Sequence, residues 1–224
     1  MTHRLGILGL GSRTTLFYID ELNKKYHEKY GGYSTCPFRL LNTNFNKINP
    51  YLPTEFNVLE EVLETYVSEL IFMGANAILI PNITLHETWD RIESKMDQNI
   101  KLIHPVQNTI QQLKLNGKSE AMIFGSGYTM NSTLMNDVFS ANNIKLIKPQ
   151  KEEQLVIDNI RKLIYEEKET QKDIELFHDI VRNYSEKHAI VIACTELSIP
   201  LYLEDNIYDM CRMQINEAFN LLNS

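Results

Sequence analysis

Two short stretches of this chain hold residues that can move protons. Ala193-Cys194-Thr195-Glu196-Leu197 sets a thiol and a carboxylic acid on either side of a hydroxyl. A thiol has a reference pKa of about 8.5 that its surroundings can tune toward neutrality, so it can serve as acid or base. Ile80-Pro81-Asn82-Ile83-Thr84-Leu85-His86 groups an amide, a hydroxyl and an imidazole. Two further turns offer small donors for an anion. Gly125-Ser126-Gly127-Tyr128-Thr129-Met130 carries two hydroxyls, and Gly9-Leu10-Gly11-Ser12-Arg13-Thr14-Thr15 reads as a strand-to-helix turn. Gly9-x-Gly11 lacks the third glycine of a dinucleotide fingerprint, so it predicts backbone N–H groups at a helix N-terminus that could hold a carboxylate. Each feature also has a plainer account. A cysteine closing a buried strand is usually a small core residue, an isolated histidine is more often a satisfied polar group, and Glu196 could cap the following turn.

The elements that must position these residues alternate. Apolar runs predict strands at Leu5 to Leu10, Pro37 to Asn42, Ala75 to Ile80, Leu102-Ile103, Glu120 to Phe124, Ile144 to Ile147, His188 to Ile192 and Ile207 to Asp209. Helices are predicted from Thr14 to Tyr30, from Pro53-Thr54-Glu55 to Gly74, and over Glu87 to Met96, Pro105 to Leu115, Thr129 to Asn142, Lys151 to Tyr165, Thr170 to Tyr184 and Met210 to Leu222. The second of these is the clearest, with Leu59, Val62, Leu63, Tyr66, Val67, Leu70 and Ile71 on one stripe. In the sixth, Leu155, Ile160, Leu163 and Ile164 are expected to share a face. Thr43 to Pro50 reads as a loop, Ile199 to Leu203 as apolar, and Glu166-Glu167-Lys168-Glu169 as a solvated connection. Strand-helix alternation predicts an α/β fold with parallel sheets wrapped by helices. It places each candidate loop at the carboxyl end of a strand, where such sheets bind ligands. We expect two similar lobes, 1–102 joined by 208–224 and 103–207, with the site in the cleft between them.

Composition narrows the function. The 224 residues are 43% hydrophobic and 23% charged, an ordinary globular balance. A net charge of −7 argues against a nucleic-acid partner, which would select a basic face. It leaves room for small anions held by a few local cations. No apolar stretch approaches the ~18 residues of a membrane span, and Met1-Thr2-His3-Arg4 leads directly into a strand, so the expected location is cytoplasmic. Cys36, Cys194 and Cys211 lack metal-type spacing and fit a reducing compartment.

Taken in order, these turns resemble the motifs of the aspartate/glutamate racemase family. Ala193-Cys194-Thr195-Glu196 is similar to its Gly-Cys-Thr-Glu, and Pro81-Asn82-Ile83-Thr84-Leu85-His86 to its Pro-Cys-Asn-Thr-Ala-His. Ser126 and Thr129 fall on the Gly-Thr-x-x-Thr-Met turn, and Thr15 on the threonine that closes the first glycine loop. Asn82 stands where the family has its first cysteine.

The resemblance implies two lobes, no pyridoxal phosphate or other cofactor, no metal, an amino acid or dicarboxylate as substrate, and a homodimer. It implies removal and return of an α-proton by thiols on opposite faces of the carbon. Cys194 would be the retained thiol. Thr15, Thr84, Ser126, Thr129 and Thr195 would bind the substrate, and Glu196 would hold its ammonium or tune the thiol. Lys168 would reach a side-chain carboxylate. Asn82 leaves three readings open. Racemisation continues with water or His86 on that face; or a one-cysteine decarboxylase or lyase works on a single face, as in the arylmalonate decarboxylases; or an inactive homologue binds an amino acid.

Overall fold

A computed structural model describes residues 3–202 and 205–223; Leu203, the end of the apolar stretch after the second loop, lies outside them, as do Met1 and Thr2. The chain forms two compact units, Met1–His104 with Gln214–Ser224, and Pro105–Met213.

The first unit holds β1 (Leu5–Gly9), α1 (Ser12–Tyr30), β2 (Phe38–Asn42), α2 (Phe56–Phe72), β3 (Ala77–Leu79), α3 (Leu85–Ile92) and β4 (Lys101–Leu102). Its sheet runs β2-β1-β3-β4 with every pair parallel, Leu5 opposite both Phe38 and Ala77 and Ala77 opposite Lys101. All of β1 is buried, as expected of a central parallel strand. A Cβ at Gly6 would come within 2.7 Å of the Ala75 Cβ, so glycine is what lets this strand pass the end of α2. Helix α2 buries Leu59, Leu63, Val67 and Leu70 against Leu8, Ile78, Leu85 and Trp89. Truncating one such leucine to alanine costs about 2–5 kcal/mol.

The second unit holds α4 (Pro105–Leu115), β5 (Glu120–Phe124), α5 (Gly127–Asn131), α6 (Thr133–Ala141), β6 (Lys145–Ile147), α7 (Lys151–Tyr165), α8 (Gln171–Ser185), β7 (Ala189–Ile192), α9 (Thr195–Ser198) and β8 (Ile207–Asp209). Its sheet runs β6-β5-β7-β8, again wholly parallel. Helices α7 and α8 each begin with a reciprocal side-chain cap, Gln150 with Glu153 and Thr170 with Asp173. Between them they bury Ile157, Ile160, Ile164, Phe177, Ile180 and Val181. The closing helix α10 (Met210–Leu222) starts in this unit and from Gln214 onward belongs to the first. The fold is therefore α/β, two four-stranded parallel sheets flanked by helices. No helix among the described residues is long and apolar enough to cross a membrane.

Several local expectations are corrected. The single helix expected over Thr129 to Asn142 is two, because Ser132 is extended and its Oγ accepts from the Met135 N–H to cap α6. Leu155 is not on the buried face of α7; it is 68% exposed, and Ile157, at i and i+3 with Ile160, takes that place. Helix α3 begins two residues earlier than expected, where the Asn82 side chain accepts from the Leu85 N–H, and after Ile92 it tightens into a 3-10 turn over Glu93–Lys95. The Thr43 to Pro50 loop includes tight turns at Phe45–Lys47 and Asn49–Tyr51.

Candidate active site

In the second unit, β7 ends and the chain turns into α9 through Cys194, whose backbone is extended. Its Sγ donates to Glu196 Oε2 at 2.9 Å, and Thr195 Oγ1 donates to the same oxygen at 3.2 Å. Cys194 and Thr195 are buried and Glu196 is half-buried. Burial first, and then the Glu196 carboxylate, push the thiol well above its ordinary pKa, while Arg161 opposes them. The resting pair is therefore a protonated thiol bonded to a carboxylate. That is a proton donor, with a base already in contact to take the proton.

Arg161, on α7, is the cation of this site. Burial works against its charge, but Cys194, Asp158 and Glu196 around it hold its pKa up. Its Nε donates to Asp158 Oδ1 at 3.0 Å, and its side chain is 20% exposed. Burial pushes the Asp158 carboxyl upward, yet Lys162, Arg161 and the Gly127 backbone N–H outweigh that and lower its pKa. Asp158 thus fastens Arg161 to the start of α5. The same turn carries Ser126 and Thr129. Ser126 Oγ accepts from the Thr129 N–H at 3.1 Å and lies 2.9 Å from Thr129 Oγ1. Two hydroxyls sharing one bond leave one proton for a ligand. A Cβ at Gly125 would lie 3.1 Å from both the Ala193 carbonyl and Thr129 Cβ, so glycine is what lets this turn sit against the residue before Cys194.

Lys168 is not part of this cluster. It is exposed and pairs with Glu166 at 2.7 Å. Sequence reasoning also passed over Asp209 and Arg212, which tie α9 to β8. Ser198 Oγ donates to Asp209 Oδ1 at 2.7 Å, and Arg212 Nη1 donates both to the Ser198 carbonyl at 2.8 Å and to Asp209 Oδ2 at 2.6 Å.

In the first unit, the Asn82 loop follows β3. Asn82 Oδ1 accepts from the Leu85 N–H at 2.9 Å, and Thr84 is half-buried at the start of α3. His86 is buried, with Nδ1 2.8 Å from the Asn82 carbonyl and Nε2 3.2 Å from Gln214 Nε2. Those partners fix the tautomer: Nδ1–H donates to the carbonyl and Nε2 accepts from the amide. Gln214 also donates to the Ile103 carbonyl at 2.6 Å and accepts from the Tyr18 hydroxyl at 2.8 Å. Burial, and then His104, hold the His86 pKa well below its ordinary value. The ring is neutral, and both nitrogens are committed. Thr15 is committed likewise, its Oγ1 accepting from the Leu10 N–H at 3.0 Å and closing the first glycine turn.

The model of the Asp/Glu/Hydantoin racemase family matches residues 7–215. The chain belongs to that family. The solved structures similar to this racemase-family chain include an aspartate racemase homologue from Pyrococcus horikoshii, at 18% identity and TM-score 0.83, with 99% of each chain covered. The aspartate racemase of Picrophilus torridus superposes at 15% identity and TM-score 0.71, with 100% of each chain covered. The glutamate racemase of Francisella tularensis in complex with D-glutamate has 12% identity and TM-score 0.62, covering 99% of this chain and 81% of that one. No curated protein sequence matches the chain. At these identities the likeness concerns the fold.

Proposed function

We propose that this racemase-family protein is a cofactor-independent amino-acid racemase acting on an amino acid or dicarboxylate, with Cys194 as its thiol acid/base. The observation that carries the reading is the Cys194 thiol donating to Glu196 at 2.9 Å on a turn packed against α7, the helix that bears Arg161. Glu196 takes the thiol proton. The thiolate takes the α-proton of the substrate, and the electron pair passes into the substrate carboxylate as an enediolate. Arg161 and the spare proton of the Ser126–Thr129 pair are suited to that developing charge. The Cys194 thiol proton then trades with solvent, and its return to the same face of the carbon completes exchange. Inversion needs a donor for the opposite face, and with asparagine at the family's first-cysteine position the chain has no second motif thiol, so water is that donor in this reading. Cytoplasmic location and a homodimer belong to the same proposal.

Asn82 favours a second reading. Its side chain serves α3 as a helix cap, so the loop has a structural use that needs no thiol. A single-thiol site then suits one-face protonation, as in a decarboxylase or lyase, or binding alone. Proton NMR in D₂O over a panel of amino acids and arylmalonates separates these. Loss of the α-proton signal from an amino acid supports the racemase. CO₂ release from an arylmalonate supports the decarboxylase. Binding shifts without either sink both enzymatic readings.

A further inference from the structure

We propose that Asp209 and Arg212 are positioning residues that hold the α9 turn in register with Arg161, so that the Cys194 thiol keeps the guanidinium beside it. This rests on the proposed acid/base role of Cys194.

The argument starts from the size of α9. A four-residue helix cannot hold itself, because one turn fixes more dihedral angles than its hydrogen bonds reward. Neither end of α9 has a local side-chain cap: Cys194 caps nothing with its side chain, and Ile199 continues the chain. What fixes the turn lies elsewhere in sequence. Ser198, its last residue, is gripped twice, through its hydroxyl by Asp209 and through its carbonyl by Arg212. Ser198 Oγ also lies 3.2 Å from the Cys194 carbonyl, which carries the grip back to the residue bearing the thiol. Asp209 is 1% exposed and Arg212 14%. Asp209 Oδ1 additionally accepts from the Cys211 N–H at 3.0 Å, so the carboxylate is held from β8, α9 and α10 together. A fully bonded buried ion pair is weak evidence for stability. Its best-attested use is fixing register.

The register in question is between the turn and α7. Glu196 lies on the same turn as Cys194 and moves with it. Arg161 belongs to α7 and is fastened by Asp158, so it does not. Loosening the strut therefore leaves the thiol with its carboxylate and takes it away from its cation. Helix α7 packs directly against α9, and the charged groups whose fields reach the thiol are Glu196 from α9 and Arg161 from α7.

A double-substitution cycle read by alkylation tests this without relying on turnover. Iodoacetamide labelling of Cys194 is followed by peptide mass spectrometry, with Cys36 and Cys211 as internal references. Arg161→Met alone slows Cys194 labelling, because the thiolate loses its cation. In the Asp209→Asn background the same change should have little effect, the two factors differing by at least about threefold, within the range found for coupled neighbours. Ser198→Ala, which removes only the hydroxyl, gives the same comparison if Asp209→Asn fails to fold. Arg212→Lys, which retains the cation, should keep more of the Arg161 effect than Arg212→Met. Equal Arg161 factors in folded proteins with and without the strut overturn the proposal. So does an Arg161→Met change without effect in the otherwise unaltered protein, and so does a parallel rise in labelling of all three cysteines, which would mark general loosening. Absence of α-proton exchange in the unaltered protein would sink the racemase reading alone, since the labelling comparison does not depend on it.

Discussion

Replacing Glu196 with glutamine removes one negative charge 2.9 Å from the Cys194 sulfur and leaves an acceptor of nearly the same shape. At an effective dielectric of about 20, two unit charges at that separation repel by about 6 kcal/mol. Glu196 is half-buried, so solvent screens part of this, and Arg161 loses a partner it shares with the thiol. If about a quarter survives, some 1.4 kcal/mol, the thiolate fraction at fixed pH rises about tenfold. The Glu196→Gln protein should therefore alkylate at Cys194 about ten times faster near pH 7.5, and its labelling midpoint should move to lower pH. Exchange of the substrate α-proton should move the other way, because the group that takes the thiol proton is gone; loss of a positioned acid or base typically costs about 10²–10⁴ in rate. Labelling that is unchanged or slower would show that Glu196 does not govern the thiol. A rise in both labelling and exchange would show that it opposes the chemistry instead of serving it.

The His86 ring should show no titration by NMR between about pH 6 and 8, because burial keeps it neutral where an ordinary imidazole would take a proton. Folding stability should fall as pH drops below about 6.5, since the unfolded chain binds a proton that the buried ring refuses, and His86→Gln should flatten that slope in thermal melts. Burial pushes the Cys36 thiol up to about 11. The folded state then loses stability as pH rises from the ordinary thiol value through about 11, and Cys36→Ala should make that alkaline decline shallower in a pH series of melting temperatures, the buried Cys194 thiol supplying part of the remainder. Asn82→Ala should lower stability by about 1 kcal/mol through loss of the α3 cap, Asn82→Asp should restore most of it, and equal denaturant midpoints for all three would refute the capping role.

Most strands and helices were legible because both sheets are parallel and their central strands, β1, β3, β5 and β7, are almost wholly buried. Their strands read as short apolar runs, and the helices between them as single stripes. Two helix bounds were missed where a side chain bonds to backbone, at Ser132 and Asn82, since such caps look like ordinary polar residues in a sequence. The Cys194-Thr195-Glu196 cluster was legible because it is local. Arg161 was not: it sits in Lys151 to Tyr165 among acids and lysines, where an Asp158–Arg161 spacing of three is an unremarkable surface pair. Lys168 was singled out through the resemblance alone, and it lies with Glu166 in the charged connection. His86 looked like a base because Thr84 and Asn82 stood near it. The partner that commits its second nitrogen, Gln214, is 128 residues away.

That distance has a consequence for how the protein is made. The segment Gln214–Ser224 belongs to the first unit, and Gln214 supplies partners to Tyr18, His86 and the Ile103 carbonyl. On a ribosome the residues through His104 emerge long before Gln214 exists. Until Gln214 is added, a buried imidazole, a phenol and a carbonyl lack their shared amide, and each unmet group costs the early unit about 1–3 kcal/mol. The first unit is therefore begun before the second and completed after it. A chain cut short before Gln214 should keep the polar interior of that unit open, and chaperones and proteases act on such partly folded forms.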